Sequence, residues 1–512
     1  MGFSILEVNL RTDYATEDLV VAIQNKLNIK EFNYEILKQS LDGRSANDIH
    51  WQIRLGVSSD ELKSGVAPEV EQLDIPNNKH KAKKVVIVGS GPAGIFASSI
   101  LITAGYQVTL IEQGAEVYQR IKDVKHFEKT SELNERSNYA FGEGGAGTFS
   151  DGKLTSRTKS IGKERDYIID KFIALGGPEE IKYFSKPHVG SNLLTKIVKN
   201  FRKELIDKGV EITFDNKMTS IYKQGTKITA IETEKGKITA DYFIVATGHS
   251  AYEVFQSLVN IGVKFHLKDF AIGSRVEHPQ ELINKSKWRT ESLPGVKSAD
   301  YALTFSIPSK MSAYSFCMCP GGMVVSAPPY KGLNIVNGMS NYKRNYPFAN
   351  SALVAGVNIQ KLTGKNLDAL QALDWLMNLE RKFYDFTGSY KAPAVKVSDF
   401  MSKKITNTFG TTSYPFELVS AEYRELFPQI VIESIFNGIK EFSTKIRGFE
   451  EGVMMGLESR TSSPIQVERD NIKVAGFDNL YFAGEGSGLS GGIVSSAADG
   501  IKCAMDIANN DR

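Results

Sequence analysis

A fully apolar run at residues 85–88 gives the clearest structural signal in the chain, because no polar residue alternates with its valines and isoleucine. Such a run is typical of a strand that is buried on both faces of a parallel sheet. Ala97 and Leu101 then follow at helical spacing and keep one helix face small or apolar. A second apolar segment covers residues 106–111 and ends at Glu112. The pattern predicts a strand–helix–strand unit.

Three glycines, Gly89, Gly91 and Gly94, occupy the turn between the first strand and the helix, and Pro92 stands where a helix tolerates a missing N–H. In this order the glycines allow a tight turn, close approach of the backbone to a pyrophosphate, and close helix–strand packing. The helix N-terminus offers free N–H groups to phosphates. Glu112 stands near the expected distance for an acid that binds a ribose hydroxyl. The unit predicts a dinucleotide site; the alternative is a glycine-rich turn without a ligand.

Residues 1–78 have the pattern of a separate small module. A strand, a helix and two further strands are predicted at residues 3–10, 16–27, 32–41 and 49–57. This β-α-β-β order favours a ferredoxin-like α/β module. A polar linker with a proline and a charge run follows at residues 74–84.

Later segments return to the buried pattern. Residues 241–248 predict a strand that ends in a tight turn, and residues 480–485 predict another strand before a last helix at residues 493–507. Between them, residues 265–440 break the parallel pattern with strand-like runs and helices, which predicts an inserted cap domain. A glycine-containing helical or turn segment is predicted at residues 448–457.

The composition is that of an ordinary globular protein. Its 512 residues are 41% hydrophobic and 24% charged, with a formal net charge of +3. The near balance of charge argues against nucleic acid or a membrane surface as a partner. Three cysteines, including Cys503, are too few for a disulfide framework, which favours a reducing, cytoplasmic compartment. No apolar run has the length of a membrane span, and residues 1–14 lack the apolar core of a signal peptide.

Residues 85–112, the A-T-G at residues 246–248 and the G-E-G-S-G-L-S-G-G at residues 484–492 together resemble the FAD-binding core of the glutathione-reductase-like flavoprotein superfamily. Further motifs resemble one branch of it, the largely uncharacterised FAD-dependent dehydrogenases with a small N-terminal domain. These motifs are G-G-A-G-T-F-S-D-G-K-L at 144–154, R-V-E-H-P-Q at 275–280, F-C-M-C-P-G-G at 316–322 and E-S-R-T-S-S-P at 458–464.

Pattern and resemblance together predict an α/β protein. Its core is a Rossmann-type FAD-binding domain, with an inserted α+β cap domain and an N-terminal ferredoxin-like α/β module. The predicted boundaries are 1–78 for the N-terminal module, 79–264 for the first part of the FAD-binding domain, 265–440 for the cap or substrate domain, and 441–512 for the closing part of the FAD-binding domain.

The resemblance also implies the contacts with FAD. The glycine turn would hold the pyrophosphate, Glu112 the adenosine ribose, and Glu485 the ribityl chain or a nearby phosphate. The N-terminus of the last helix would face the flavin N1–C2=O edge and stabilise negative charge on the reduced flavin. The predicted cofactor-binding residues are Gly89, Gly91, Pro92, Ala93, Gly94, Glu112, Gln113, Gly144, Gly145, Gly147, Thr148, Ala246, Thr247, Gly248, Gly484, Glu485, Gly491, Gly492 and Ile493.

The chain has no second glycine fingerprint with a following acid, and no C-x-x-C or C-x-x-x-x-C after the first unit. A disulfide reductase with two nucleotide domains is therefore not expected. NAD(P)H stays a candidate reductant, and it would have to bind at the cap or at the loop of residues 142–147.

Two polar pairs are candidates for chemistry near the flavin. Cys317 and Cys319 form a C-x-C pair that is a strained disulfide, half a metal site or a pair of structural thiols. In a regular strand, residues i and i+2 share a face. One pair lacks the four ligands of a structural zinc site, so no metal is predicted. Asp151 and Lys153 either close on a substrate or form a salt bridge with each other.

Arginine and histidine residues supply the remaining candidates. Arg157, Arg275 and Arg460 are candidates to bind an anionic substrate through paired hydrogen bonds. His278 and His249 are candidates for a general acid or base, because imidazole titrates near neutral pH.

The sequence therefore predicts a soluble, cytoplasmic FAD-dependent oxidoreductase of the dehydrogenase or reductase type. It would transfer hydride between flavin N5 and a small, anionic substrate, and it would exchange electrons with a redox partner. Two alternatives remain open at this stage. One is a flavin-dependent monooxygenase, which uses O₂. The other is an FAD-stabilised binding protein without turnover that contacts RNA through the N-terminal module and its lysine-rich linker.

Overall fold

The computed structural model describes residues 2–69, 71–76, 83–156, 158 and 160–510. The candidate Arg157 and residues 77–82 of the predicted linker lie outside the described residues. Within the described ranges, no helix combines the length and the apolar character that crossing a lipid bilayer requires.

The N-terminal module has the predicted order of elements. It consists of β1 (Gly2–Arg11), α1 (Thr16–Leu27), β2 (Asn33–Asp42) and β3 (His50–Ser59). Strand β3 lies between β1 and β2 and is antiparallel to both. Leu19 and Ile23 of α1 belong to one apolar cluster with Ile53 and Leu55 of β3. The helix therefore covers one face of this sheet and gives the module a core of its own.

The module is joined to the following domain through strand β2. The Gln39 N–H donates to the carbonyl oxygen of Tyr183 at 2.8 Å, and the Ser185 N–H donates to the carbonyl oxygen of Gln39 at 2.9 Å. The Trp51 ring stacks on Phe184 with 5.7 Å between ring centroids. These contacts fix the module against residues 183–185.

A parallel-sheet domain begins at residue 84. Its first elements are β4 (Lys84–Val88), α2 (Pro92–Thr103), β5 (Gln107–Ile111), α3 (Val117–Thr130), α4 (Gly162–Ala174), α5 (Ser191–Asp207), β6 (Glu211–Thr213), β7 (Met218–Gln224), β8 (Lys227–Thr233), β9 (Gly236–Thr239), β10 (Tyr242–Val245) and α6 (Tyr252–Asn260). Elements β4, α2 and β5 confirm the predicted strand–helix–strand unit. Strands β7, β8 and β9 form a separate antiparallel sheet.

An inserted domain follows. Its elements are β11 (Phe265–Leu267), β12 (Phe270–Pro279), α7 (Gln280–Trp288), β13 (Thr304–Ile307), β14 (Met311–Ser326), β15 (Val336–Ser340), β16 (Phe348–Val357), α8 (Ile359–Thr363), α9 (Ala369–Thr387), β17 (Ala392–Lys396), α10 (Val397–Ser402), β18 (Leu418–Ser420), α11 (Tyr423–Leu426), α12 (Gln429–Lys445) and β19 (Val453–Glu458). Its main sheet has the order β13-β14-β16-β12-β19-β17-β18, and β15 pairs with β14.

The inserted domain ends later than the predicted residue 440, because strand β19 belongs to its sheet. This strand pairs with both β12 and β17, so the inserted sheet extends beyond residue 440. The helical or turn segment predicted at residues 448–457 is wrong over its second half, because these residues form a central strand of that sheet.

The chain then returns to the parallel sheet. The last elements are β20 (Ile465–Val467), β21 (Arg469–Asp470), β22 (Lys473–Val474), β23 (Leu480–Phe482) and α13 (Ile493–Asn510). The completed sheet has the order β23-β10-β4-β5-β6, with all strands parallel. Strands β11 and β20 pair where the chain enters and leaves the inserted domain.

Helices α2 and α13 pack closely against each other. A Cβ atom on Gly500 would lie only 2.1 Å from the carbonyl oxygen of Ala93. The absence of a side chain at Gly500 therefore brings the last helix against the start of α2, next to the glycine turn.

Candidate functional site

The glycine turn has the predicted geometry. Gly89 has a φ of +106°, a conformation that glycine adopts without steric cost. A Cβ atom on Gly94 would lie 1.9 Å from the carbonyl oxygen of Gly89, so only glycine permits this approach of helix to turn. Pro92 occupies the first turn of α2. The free N–H groups at the start of α2 are thus available to a phosphate.

Glu112 closes the turn through hydrogen bonds. Its carboxylate accepts from the N–H of Ser90 at 2.9 Å, from the Ser90 Oγ at 2.8 Å and from the N–H of Gly114 at 3.0 Å. A carboxylate offers about four acceptor positions, so one remains for a ribose hydroxyl. The predicted ribose role of Glu112 fits this geometry, and the bonds to Ser90 add a structural role that the sequence did not indicate.

Arg120 organises the neighbouring glycine loop and was missed in the sequence. Its guanidinium is fully buried and lies 4.7 Å from the Phe149 ring centroid. Burial lowers the pKa of Arg120 to about 10. It donates to backbone carbonyl oxygens of Asn138 (2.8 Å), Tyr139 (3.0 Å), Gly142 (3.2 Å), Glu143 (2.8 Å) and Gly145 (2.8 Å). This buried cation holds the loop as a fixed shape rather than a mobile lid.

The glycine loop contacts both the turn and the last helix. A Cβ atom on Gly145 would lie 3.1 Å from the Cα of Gly91, and one on Gly147 would lie 2.9 Å from Ile493 Cγ1. Residues Ala146–Phe149 form a short 3-10 helix at this point. The structure thus brings together three segments that are distant in sequence and that were all predicted to bind the cofactor.

The A-T-G turn and the late glycine loop complete the junction. A Cβ atom on Gly486 would lie 2.5 Å from the carbonyl oxygen of Gly248. His249 Nδ1 lies 3.5 Å from Glu485 Oε1. Within the described part of the chain, Thr247 Oγ1 and His249 Nε2 are buried without a hydrogen-bond partner. A ligand with polar groups at this junction would supply partners for them.

Open space adjoins the backbone on the same side. A Cβ atom on Gly248, Gly491 or Gly492 would meet no described atom within 4 Å. The remaining predicted cofactor-binding residues lie on the same segments: Ala93, Gln113, Gly144, Thr148, Ala246 and Gly484. The free helix N–H groups as donors, the carboxylates as acceptors and the open glycine backbone together suit the binding of FAD.

Arg275 has a different environment from the one expected. It is fully buried in the inserted sheet. Its donors reach Asn350 Oδ1 (2.8 Å), Asn337 Oδ1 (3.1 Å), Glu458 Oε2 (2.9 Å), the carbonyl oxygen of Cys317 (2.7 Å) and Cys319 Sγ (3.6 Å). Within the described part of the chain, these five bonds engage all five N–H groups of the Arg275 guanidinium. The predicted role in binding an anionic substrate is therefore replaced by a structural one.

The two cysteines do not share a strand face. The β14–β16 register shifts between Phe316 and Cys319, and Cys317 has a φ of +44°, so a β-bulge separates the two side chains. Cys317 is exposed, Cys319 is buried, and both are free thiols. The Cys319 thiol donates to the carbonyl oxygen of Cys317 at 3.3 Å. The interpretation of this pair as a strained disulfide is therefore wrong, because both thiols are free.

Asp151 and Lys153 meet the inserted domain. The Lys153 ammonium donates to Asp151 Oδ2 at 2.6 Å and to the carbonyl oxygen of Met318. Asp151 also accepts from Arg344 Nε at 3.0 Å and Nη2 at 2.6 Å. Burial alone would raise the pKa of Asp151, but Lys153 and Arg344 outweigh burial and hold that pKa well below its usual range. The salt-bridge interpretation is confirmed.

Arg460 and His278 are both engaged within the inserted domain. Arg460 donates to Glu380 Oε1 at 2.9 Å and Oε2 at 2.7 Å, so a protein carboxylate occupies the guanidinium edge expected for substrate. His278 is 1% exposed, packs on Phe449 and donates from Nε2 to the Phe449 carbonyl oxygen at 2.8 Å. Burial lowers the pKa of His278 to about 4. His278 cannot take the predicted acid–base role without reorganising the core, and the Nε–Nη2 edge of Arg460 is already paired with Glu380.

The comparisons with known proteins agree with this division. A family model described as an FAD binding domain matches residues 82–253, and one described as an FAD-dependent protein, C-terminal domain-like, matches residues 269–461. A Clostridium beijerinckii relative, described as an uncharacterized protein, is 38% identical over 534 residues, covering 99% of this chain and 98% of its own. The chain belongs to this family of FAD-dependent oxidoreductases. The FAD-dependent C-terminal model ends at residue 461, close to the end of β19.

Solved structures resemble this FAD-dependent protein only distantly. The flavin-dependent brominase Bmp2 is 13% identical, with 84% of this chain and 79% of that chain covered and a TM-score of 0.39. A geranylgeranyl bacteriochlorophyll reductase-like protein from Thermoplasma acidophilum is 11% identical, with 84% and 79% covered and a TM-score of 0.36. We infer no reaction from them. Membership in the glutathione-reductase-like superfamily stays a prediction.

Proposed function

We propose that this protein is an FAD-dependent dehydrogenase or reductase that acts on a small substrate held between the parallel-sheet domain and the inserted domain. FAD, when bound, supplies hydride transfer at flavin N5. The observation that carries the proposal is the convergence of the glycine turn, the glycine loop, the A-T-G turn and the late glycine loop at one junction. We take this convergence as the place of the cofactor.

The residues of the junction have distinct proposed roles. The N–H groups at the start of α2 bind the pyrophosphate, and Glu112 orients the adenosine ribose. The N-terminus of α13, beginning at Ile493, places a partial positive charge beside the flavin and stabilises negative charge there. His249 is the proposed proton-holding group, because it lies beside Glu485 at this junction whereas His278 is enclosed in the inserted sheet.

The test is anaerobic reduction of the FAD-loaded protein by NADH and by NADPH, followed through the flavin absorbance. Rapid bleaching would identify a nicotinamide-linked enzyme. An unchanged band with normal reduction by dithionite would identify the organic substrate or a protein partner as the electron source. A protein that takes up no FAD would overturn the proposal.

Two further measurements separate the alternatives. Mixing the reduced protein with O₂ in a stopped-flow instrument would favour a monooxygenase if a transient species distinct from oxidised and reduced flavin accumulates. Salt-dependent RNA binding by the full chain, without turnover of any electron donor, would favour the binding-protein alternative.

A further inference from the structure

The glycine loop leads from the proposed flavin site to Lys153. Gly147 lies against Ile493 at the start of α13. Ser150 Oγ donates to the carbonyl oxygen of Gly147 at 2.7 Å and accepts from the N–H of Gly152 at 3.0 Å. These bonds fold the loop back on itself, so that Lys153 follows directly from a segment anchored at the junction.

The Lys153 ammonium has a donor to spare. An ammonium carries three N–H groups, and Asp151 and the Met318 carbonyl oxygen accept from it. The side chain is 34% exposed although it bridges the two domains. Burial alone would lower the pKa of Lys153, but Asp151, Cys319 and Cys317 together outweigh burial and raise it, which favours the charged form. The remaining N–H is available to a ligand at the boundary between the two domains.

Cys317 of the inserted domain lies close to Lys153, because it directly precedes Met318, whose carbonyl oxygen accepts from the Lys153 ammonium. The Cys317 side chain is accessible to solvent, yet the surrounding protein limits its hydration and raises the pKa of the thiol to about 12. The bulge that exposes this thiol is held on both sides, because Arg275 donates to the carbonyl oxygen of Cys317 and Lys153 donates to that of Met318. A neutral thiol next to an ammonium suits a ligand with an apolar body and a charged end.

Positive charges outnumber negative charges around Lys153. Lys153 and Arg344 share the single carboxylate of Asp151. Arg275 is already balanced by Glu458. Nearby, the Lys297 ammonium lies 3.3 Å from the Tyr342 ring centroid, and the charges that act on it are those of Glu180, Arg344 and Asp151. One carboxylate for two guanidinium or ammonium groups leaves the local charge suited to an anion.

We propose that Lys153 recognises the substrate and that it takes the carboxylate of a small organic acid at the domain boundary beside Cys317. This inference rests on the proposed function, because it places that carboxylate near the flavin. The role replaces the one predicted for Arg275, whose guanidinium donors are all engaged within the protein, and for Arg460, which pairs its Nε–Nη2 edge with Glu380.

Benzoate and its neutral analogue benzamide are the probes. Binding is measured by equilibrium dialysis, and proximity to the flavin by perturbation of the flavin absorbance. Lys153→Met should weaken benzoate binding roughly 10- to 100-fold, since a charge-assisted hydrogen bond is lost. Lys153→Arg should retain most of the affinity. The matched control is Lys171→Met. Lys171 lies in helix α4 and is also paired with a carboxylate, that of Glu204, at 2.8 Å.

Benzoate binding that depends on Lys153 and shifts the flavin spectrum, with benzamide binding much more weakly, supports the inference. Equal binding of both probes, no benzoate binding to the FAD-loaded protein, or equal losses in Lys153→Met and Lys171→Met would overturn it. Dialysis needs no flavin, so a protein that binds benzoate through Lys153 but takes up no FAD would refute the proposed function while keeping the carboxylate site. Binding without any spectral shift in FAD-loaded protein would overturn the placement beside the flavin.

Discussion

The Arg275 guanidinium donates a 2.9 Å hydrogen bond to the Glu458 carboxylate, with exposed side-chain fractions of 0% and 5%. This pair joins β12 to β19 across the middle of the inserted sheet. Burial alone would lower the pKa of Arg275, but Glu458, Cys319 and Cys317 together outweigh burial and raise it. The pairing therefore favours the charged form of Arg275, whereas burial raises the pKa of Glu458 and outweighs the opposing effect of Arg275.

Replacing Arg275 by leucine should destabilise the protein strongly. The change leaves the Glu458 carboxylate buried without its cation and removes the donor to the carbonyl oxygen of Cys317. Breaking a buried pair costs about 3 to 5 kcal/mol in unfolding free energy. Urea unfolding measures the loss. The double variant Arg275→Leu/Glu458→Leu should recover part of it, and a double variant as unstable as the single one would contradict the prediction.

Stability should depend on pH through His278. Burial lowers its pKa from 6.5 to about 4, so the unfolded chain binds a proton that the folded chain excludes as pH falls through this window. The contribution of His278 to the free energy of unfolding is constant above pH 6.5. It falls progressively towards pH 4, by about 3 kcal/mol in total at 1.36 kcal/mol per pKa unit.

His278→Gln provides the comparison, because its amide can still donate to the Phe449 carbonyl oxygen and does not titrate. The difference in unfolding free energy between the wild type and the variant should change between pH 6.5 and pH 4. Glu277, whose pKa burial raises to about 7, is present in both proteins, so its opposite contribution largely cancels. A difference that stays constant across this range would contradict the prediction.

Arg120→Lys should weaken FAD binding about tenfold or more, because the preorganised glycine loop would loosen. An ammonium retains the charge but cannot span the set of carbonyl oxygens that the guanidinium reaches from Asn138 to Gly145. FAD titration gives the dissociation constant, and thermal unfolding of the FAD-free protein reports any separate loss of stability. Arg165→Lys, at an exposed arginine paired with Asp166, is the control and should leave FAD affinity unchanged.

Gly94→Ala should abolish FAD binding. The new Cβ would lie 1.9 Å from the carbonyl oxygen of Gly89, so either α2 or the turn must move. Gly162→Ala is a matched control at the first position of α4, where a Cβ atom meets no described atom within 4 Å. Copurifying FAD, quantified per chain by absorbance, gives the result. An FAD content in Gly94→Ala equal to that of the control would show that this close approach is not needed.

The strand–helix–strand unit was predictable because its signals are local. The apolar run of β4, the glycines that follow it and the apolar β5 are contiguous, and each residue type matches its backbone position. The order of elements in the N-terminal module follows from the same periodicity. The cofactor segments were predicted from motifs, and the structure brings them to one junction.

The polar centre of the inserted domain was not predictable from the sequence. Arg275 has the residue type of an anion-binding group, but its anion is the carboxylate of Glu458, which lies 183 residues later in the chain. The β-bulge at Cys317 depends on the register with β16, which no local pattern specifies. Arg120 lies on a helix with ordinary polar spacing, and its role depends on carbonyl oxygens from a loop that follows the helix.

The pairing of Phe243 with Leu480 has a consequence for synthesis on the ribosome. Strand β10 cannot pair with its outer neighbour β23 until the whole inserted domain has been translated, because β23 follows that domain in the chain. Loop closure over so many residues is slow unless the intervening chain is already compact. Pairing of β11 with β20 brings the two ends of the insertion together, so the inserted domain would fold first and then deliver β23 and α13 to the waiting sheet. The nascent chain would therefore acquire its cofactor as one of its last maturation steps.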